Sequence, residues 1–377
     1  MKTIACVALA FGLIFALGAR ADLRLVAPVE GETICQLRPS QLALVRASAK
    51  DRRAFFVDAD AADRLKSDGD RPQPIVLSWT GEKGVSRVIV RRLPDGKAFC
   101  DQTVLTNRIE IDSLEIARQW EWTVFSGGTH ATGTFRTEDC PPRLIRIDGV
   151  RNVRDVGGYR GLDGRRVRQG LVFRSGGFNF NALYKDAKTQ SYYPSEKWTP
   201  GDARMTEDER LRILRDYGFR TDIDLRRDEE CFGMKGSPLG TEVRWLHCSY
   251  AHYAGAFTDW GRKINREVFS TFMDLDNYPI VFHCILGADR TGTVSMLLLS
   301  LLGVSEDDIW LDYCATGFSG KMKNRWADAE HLKLFDEANF ELNRLVGSTR
   351  AEKAEAYFVS LGFTRNQIHR LREFLLE

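Results

Sequence analysis

From about Asp22 to Thr137 the apolar positions come in short runs separated by turn signals. The clearest runs are PIVLSWT, SRVIVRRL, RIEIDSL, QWEWTVFSG and ATGTFRT, with PDG and SGG as turns. Apolar and polar residues alternate from Trp120 to Val124, which predicts a strand with one buried face, whereas the unbroken run Val88 to Val90 predicts a strand covered more fully. Strands at this spacing predict a small all-β sandwich over residues 22–138. The sequence TEDCPPRLIRIDG then marks a boundary, because Pro141-Pro142 continues neither a helix nor a central strand.

Beyond that boundary the period changes. DERLRILRDYGF precedes TDIDLR, INREVFSTFMDL precedes YPIVFHC, and RTGTVSMLLLSLLG follows. Helical stretches that alternate with apolar strands predict βαβ units, hence an α/β domain over 139–377 with a mostly parallel sheet flanked by helices. From Ser305 the pattern is a run of helices to the C-terminus, while residues 179–204 are polar, aromatic and aperiodic and read as an inserted surface loop. The layout of residues 22–138 resembles a fibronectin type III or immunoglobulin-like module.

Composition narrows the picture. The 54 basic and 52 acidic side chains nearly cancel, so no overall field points to nucleic acid or a membrane surface, and any anion site is local. Residues 1–21 combine Lys2, an apolar run and Ala19-Arg20-Ala21, the pattern of a signal peptide cleaved before Asp22. The apolar run is shorter than the roughly 20 residues a spanning helix needs, which disfavours an uncleaved anchor. The expected product is extracytoplasmic, periplasmic or secreted. Of the 8 cysteines, Cys6 leaves with the leader, and an odd set of seven then predicts at least one free thiol. If that thiol is Cys284, the other six are able to pair or to stay buried and reduced. No spacing suits zinc, and no metal or organic cofactor is expected.

The candidate chemistry lies in HCILGADRTG, His283 to Gly292, between the strand IVF and an apolar helix. Open α/β folds place ligands at such strand ends. Gly287 allows a turn, and the N–H groups of Ile285, Leu286, Gly287, Ala288, Asp289 and Arg290 can line an anion nest backed by a helix N-terminus. The same field favours a thiolate at Cys284, Arg290 offers a planar fork for two phosphoryl oxygens, and Thr291 offers a hydroxyl to the sulfur. His283 is expected to orient the loop by hydrogen bonding to the main chain.

His-Cys, five residues, then Arg-Thr-Gly resembles the signature of the cysteine-based phosphatases. The segments NVRDVGGYRGLDGRRVRQGLVFRSGG, DYGFRTDIDLRRDEE, HCILGADRTG, GVSEDDIWLDYCATG and LGFTRNQIHRLREFLL resemble, in that order, the bacterial tyrosine and dual-specificity phosphatases. The resemblance runs from about Pro141 to the C-terminus. It implies hydrolysis of a phosphomonoester through a cysteinyl-phosphate, with Cys284 as nucleophile, and it places the first segment and Asp224 to Arg226 around the phosphate loop. Arg154, Asp155 and Arg174 then either meet the site or form ion pairs that hold the sheet edge.

Three aspartates are candidates for the general acid: Asp289 in the loop, Asp259 upstream, and Asp224 at a strand end. Ala288 stands where the family commonly has lysine, which disfavours polyphosphorylated lipids unless Lys185 or Lys188 of the insert substitutes. A phosphotyrosine protein or a small aryl phosphate is the first substrate expectation, with Tyr159, Phe178 and Tyr250 as candidate stacking residues. Competing readings are an inositol-phosphate or phosphoinositide phosphatase, and an exported binding protein in which the β-domain holds a surface glycan or protein and the phosphatase is vestigial.

Overall fold

The computed structural model describes residues 22–48, 50–52, 69–178, 183–185, 192–194, 205–231, 234–319 and 329–377. The leader assigned to 1–21 lies outside them, as does Lys188 and the side chain of Lys185.

The N-terminal region is rich in sheet. One sheet has the order β1 (Arg24–Ala27), β3 (Ile75–Thr80), β6 (Arg108–Ile111). The other has the order β2 (Glu32–Ile34), β8 (Thr129–Thr137), β7 (Gln119–Ser126), β4 (Ser86–Leu93), β5 (Ala98–Val104). Trp120, Trp122 and Val124 share a fully buried face of β7 and meet Leu77, Trp79, Val88 and Val90 in one apolar cluster. Pairing is antiparallel except for β2 with β8, which run parallel. The helix α1 (Pro39–Arg46) breaks the all-β expectation: Leu44 and Val45 leave the sheets and join the large core of the C-terminal unit.

That unit is built on a five-stranded sheet of order β14 (Arg244–His247), β13 (Thr221–Asp224), β15 (Ile280–His283), β10 (Val172–Ser175), β9 (Arg154–Asp155). The first four run parallel and β9 closes the edge antiparallel. All four residues of β15 are buried, as a strand covered on both faces requires. Phe173 and Val281 point into one cluster with Ile213 and Phe219, whereas Val172, Ile280 and Phe282 point into the other with Val294 and Leu298.

Helices supply the cover: α2 (Glu207–Tyr217), α3 (Asp259–Met273), α4 (Asp289–Leu301), α5 (Glu306–Cys314), α6 (Ala329–Asn343), α7 (Arg350–Ser360) and α8 (Arg365–Leu375). Most begin where a threonine or serine hydroxyl accepts from the third residue on, Thr206 for α2, Ser305 for α5, Thr349 for α7 and Thr364 for α8. Helix α4 has no such cap. No N-cap side chain therefore claims its first-turn N–H groups. In the insert, read from sequence as a loop, Leu183–Lys185 (β11) and Tyr192–Pro194 (β12) pair as an antiparallel ribbon. Among the described residues all seven cysteines are free thiols. No helix among the described residues is long and apolar enough to cross a membrane.

Candidate active site

The parallel strands end in register, with Ser175 of β10 and Asp224 of β13 both opposite His283 of β15. Cys284 is the next residue, so its sulfur emerges at the carboxyl edge of the sheet, between β15 and the uncapped start of α4. Gly287 makes the return possible. Its φ is 68°, and a Cβ there would lie 2.4 Å from the Ser175 carbonyl oxygen. Gly177 N–H donates to the Ile285 carbonyl at 3.0 Å, seating the loop against the end of β10. Among the described residues no main-chain carbonyl accepts from the N–H groups of Ile285, Leu286 or Ala288. N–H groups so left are able to donate to an oxyanion.

Burial, the largest influence on the Cys284 thiol, opposes its ionisation. Arg290, the Thr291 hydroxyl and the N–H groups of Thr291 and Gly287 outweigh it, and the thiol is lowered to about 7. Thr291 is fully buried, and its hydroxyl has no other hydrogen-bond partner among the described residues. Arg290 is held by Glu230, with Nη1 donating at 2.5 Å and Nη2 at 3.3 Å, and by the Leu225 carbonyl at 3.2 Å. Glu230, which the sequence reading did not single out, sits in the short turn after β13 and is 1% exposed. Its only sequence signal was an acidic residue shortly after the Asp-Leu-Arg strand end.

A second layer supports the loop from below. The Asn152 side-chain amide donates to the Leu286 and Gly287 carbonyls, both at 3.0 Å. Arg174 Nη2 donates to the same Gly287 carbonyl at 2.8 Å. Asp312 of α5 binds the Arg174 and Arg154 guanidiniums, the latter through Nε at 2.9 Å, and accepts from Ser295 Oγ at 2.8 Å. Arg154 also reaches Asn152 and the Thr316 hydroxyl. Burial, with Arg154 beside it, brings the Arg174 guanidinium down to about 10, and the two arginines hold the Asp312 carboxyl below its ordinary value against the effect of burial. The Asp155 carboxylate instead binds Arg143 at 2.8 Å and the N–H groups of Gly157 and Gly170, both at 2.7 Å. Arg143 reaches on to the Ser113 carbonyl at 2.8 Å, so Asp155 ties the sheet edge to the N-terminal region.

The three aspartates separate. Asp224 is fully buried and bound by the Arg226 fork. Burial opposes its ionisation, but His283 and Arg226 hold its carboxyl well below the usual carboxylate range, so it retains no proton to give near neutral pH. Asp259 is exposed in the first turn of α3. Asp289 opens α4 immediately before Arg290, is 8% exposed, and accepts the Tyr253 hydroxyl. His283 makes the expected main-chain contact, Nδ1 to the Cys284 carbonyl at 3.3 Å, and its Nε2 lies 3.0 Å from Asp222. Burial disfavours the imidazolium, yet Asp224 and Asp222 raise the histidine above its ordinary value. The expected stacking aromatics are corrected to core: Tyr159 is 1% exposed, Phe178 packs edge-on to His283, and the Tyr250 hydroxyl binds Asn265. The described residues contain no cluster of side chains able to hold a metal.

The comparisons agree with this geometry. The model described as tyrosine phosphatase family matches residues 145–190 and 201–377, more than half of the chain. A protein of Cupriavidus necator, provisionally named a tyrosine-protein phosphatase, is 30% identical over 190 residues, which are 45% of this chain and 61% of that protein. A tyrosine-protein phosphatase of Nostoc commune is 28% identical over 230 residues, 54% of this chain and 74% of that protein. The matched family region contains the cysteine loop, the Asn152 to Arg174 support and the helical C-terminus, and the chain belongs to the tyrosine phosphatase family.

Proposed function

We propose that the protein is a cysteine-dependent phosphomonoester phosphatase whose preferred substrates are phosphotyrosine and related aryl esters. The observation that carries this reading is Cys284 at the end of β15, in a loop whose Ile285, Leu286 and Ala288 N–H groups meet no main-chain carbonyl among the described residues, with Arg290 the first of the groups that lower its thiol to about 7. Cys284 sulfur attacks phosphorus, the P–O bond to the leaving oxygen breaks, and the Asp289 carboxyl gives that oxygen its proton. Water then adds to phosphorus, its proton returns to Asp289, and the S–P bond breaks to release phosphate and the thiolate. The loop amides and Arg290 stabilise the equatorial oxygens through both steps, with Arg290 held in place by Glu230. Asp289 is preferred over Asp259 because its carboxyl opens the helix beside Arg290, and over Asp224 because that group is locked in ion pairs.

Ala288, buried and uncharged at the loop's far side, favours a singly phosphorylated ester over inositol phosphates and phosphoinositides. The leader pattern in 1–21 supports export. The two sheets of the N-terminal region, which share one apolar cluster, support a fibronectin III or immunoglobulin-like sandwich. Hydrolysis of p-nitrophenyl phosphate and of a phosphotyrosine peptide by the full chain, with Cys284→Ser reducing turnover by about a thousandfold or more, is the expected result. Equal turnover by both proteins would remove the enzyme reading and leave the binding one. Faster phosphate release from inositol hexakisphosphate than from the peptide would overturn the substrate class.

A further inference from the structure

Tyr253 begins the short turn Tyr253–Phe257 that leads into α3, and it has a φ of 54°. A bulky residue in the left-handed region is strained and persists only where its surroundings over-determine it. Both its N–H and its hydroxyl donate to the start of α4. The Tyr253 N–H donates to Thr293 Oγ1 at 2.9 Å, and the Thr293 hydroxyl donates to the Asp289 carbonyl at 2.8 Å. The phenol reaches round the same turn, and its hydroxyl donates to Asp289 Oδ1. It also lies 2.6 Å from the Tyr313 hydroxyl of α5, whose ring stacks on Phe335 with centroids 3.8 Å apart. Tyr253 and Tyr313 are 3% and 1% exposed. A strained, buried tyrosine thus spends its main-chain donor and its hydroxyl on the one turn that carries Asp289 and Arg290.

We propose that Tyr253 is a positioning residue, whose hydroxyl, backed by Tyr313, fixes the rotation of the Asp289 carboxyl for proton transfer to the leaving oxygen. The proposal rests on the reading of Asp289 as general acid. Without the phenol, the carboxylate of a first-turn aspartate is drawn toward the uncapped N–H groups of its own helix or toward Arg290. Proton donation demands hydrogen-bond reach and alignment to the leaving oxygen, so a loose carboxyl loses most where the leaving group most needs the proton. Strain at Tyr253 is then the local consequence of presenting a hydroxyl to Asp289 from a neighbouring element.

The test uses the full chain and two esters that share a phosphoryl group, phenyl phosphate with a poor leaving group and p-nitrophenyl phosphate with a good one. The constant kcat/KM reports the first step, in which the leaving oxygen departs. Tyr253→Phe is expected to lower kcat/KM for phenyl phosphate about tenfold or more, and for p-nitrophenyl phosphate less than about threefold, a part of the full general-acid contribution. Asp289→Asn should show the same asymmetry, larger. Tyr313→Phe, which keeps Tyr253 and the ring stack, should show it smaller, and it carries the test if Tyr253→Phe does not fold. Equal losses on both esters, or no loss, would overturn the positioning role while Cys284-dependent turnover of the wild type kept the phosphatase reading intact. A wild type whose turnover is unchanged by Cys284→Ser would overturn that reading and this proposal together.

Discussion

Removing the charge of Asp312 should destabilise the phosphatase unit and slacken its phosphate loop. Asp312 sits 1% exposed between two guanidiniums that are themselves 1% and 0% exposed, Arg154 and Arg174. Each ion pair is worth about 4 kcal/mol at a separation of about 4 Å and an effective dielectric near 20. Asp312→Asn keeps the size and one acceptor but forfeits both attractions and leaves two like charges facing each other. The desolvation cost of the carboxylate, several kcal/mol, is recovered in the variant, so the expected net loss is about 3–5 kcal/mol, the usual cost of breaking a buried pair from one side. Urea unfolding followed by tryptophan fluorescence measures it as a lower midpoint at unchanged slope. The Asp312 carboxyl is held below its ordinary value, so its contribution is present above about pH 4 and lost as pH falls through the lower folded value. The variant should therefore be less acid-sensitive than the wild type. Because Arg174 donates to the Gly287 carbonyl, affinity for inorganic phosphate should fall too. A stability change below about 1 kcal/mol would refute the argument that this carboxylate neutralises both arginines.

Three further outcomes are expected. Asn152→Ala removes the two bonds to the Leu286 and Gly287 carbonyls and places alanine at a φ of 55°, so a loss of about 2–3 kcal/mol and a raised KM for aryl phosphates should follow. Unchanged KM and unfolding midpoint would show the loop needs no such prop. Gly287→Ala, whose Cβ would lie 2.4 Å from the Ser175 carbonyl oxygen, should abolish inorganic phosphate binding in calorimetry, and wild-type affinity would contradict the seating described. The acid limb of kcat/KM should have its midpoint near the Cys284 value of about 7, turnover rising with pH as the thiolate forms. Thr291→Ala, which removes one of the groups favouring the thiolate, should move that midpoint upward, and a downward or null movement would count against it.

Local pattern made much of this protein legible. The alternation at Trp120 to Val124 identified a half-buried strand, and β7 buries those side chains. The apolar runs after Leu225 located α3, β15 and α4 within a few residues, because a helix or strand must bury one face and its period records which. Cys284, Arg290 and the loop between them were readable for a similar reason, since an anion nest needs its residues consecutive in the chain. Strands β5 and β14 escaped notice: AFCDQTV is polar and mostly exposed, and RWLH is too short for its period to register.

What the sequence by itself determined, then, were elements and motifs whose physics is local: period, turn glycines, helix starts and a contiguous cysteine loop. Only the tertiary structure decided which distant residues serve that loop. Asn152, Arg174 and Asp312 converge beneath it from three separate stretches of chain, Glu230 reaches Arg290 across 60 residues, and Tyr253 reaches Asp289 across 36. Tertiary structure also sorted the aspartates, locking Asp224 in ion pairs and leaving Asp259 exposed, and it drew Tyr159, Phe178 and Tyr250 into the core. The reason is that a buried charge or hydroxyl takes whichever partner packing brings within about 3 Å. Separation along the chain carries no record of that choice.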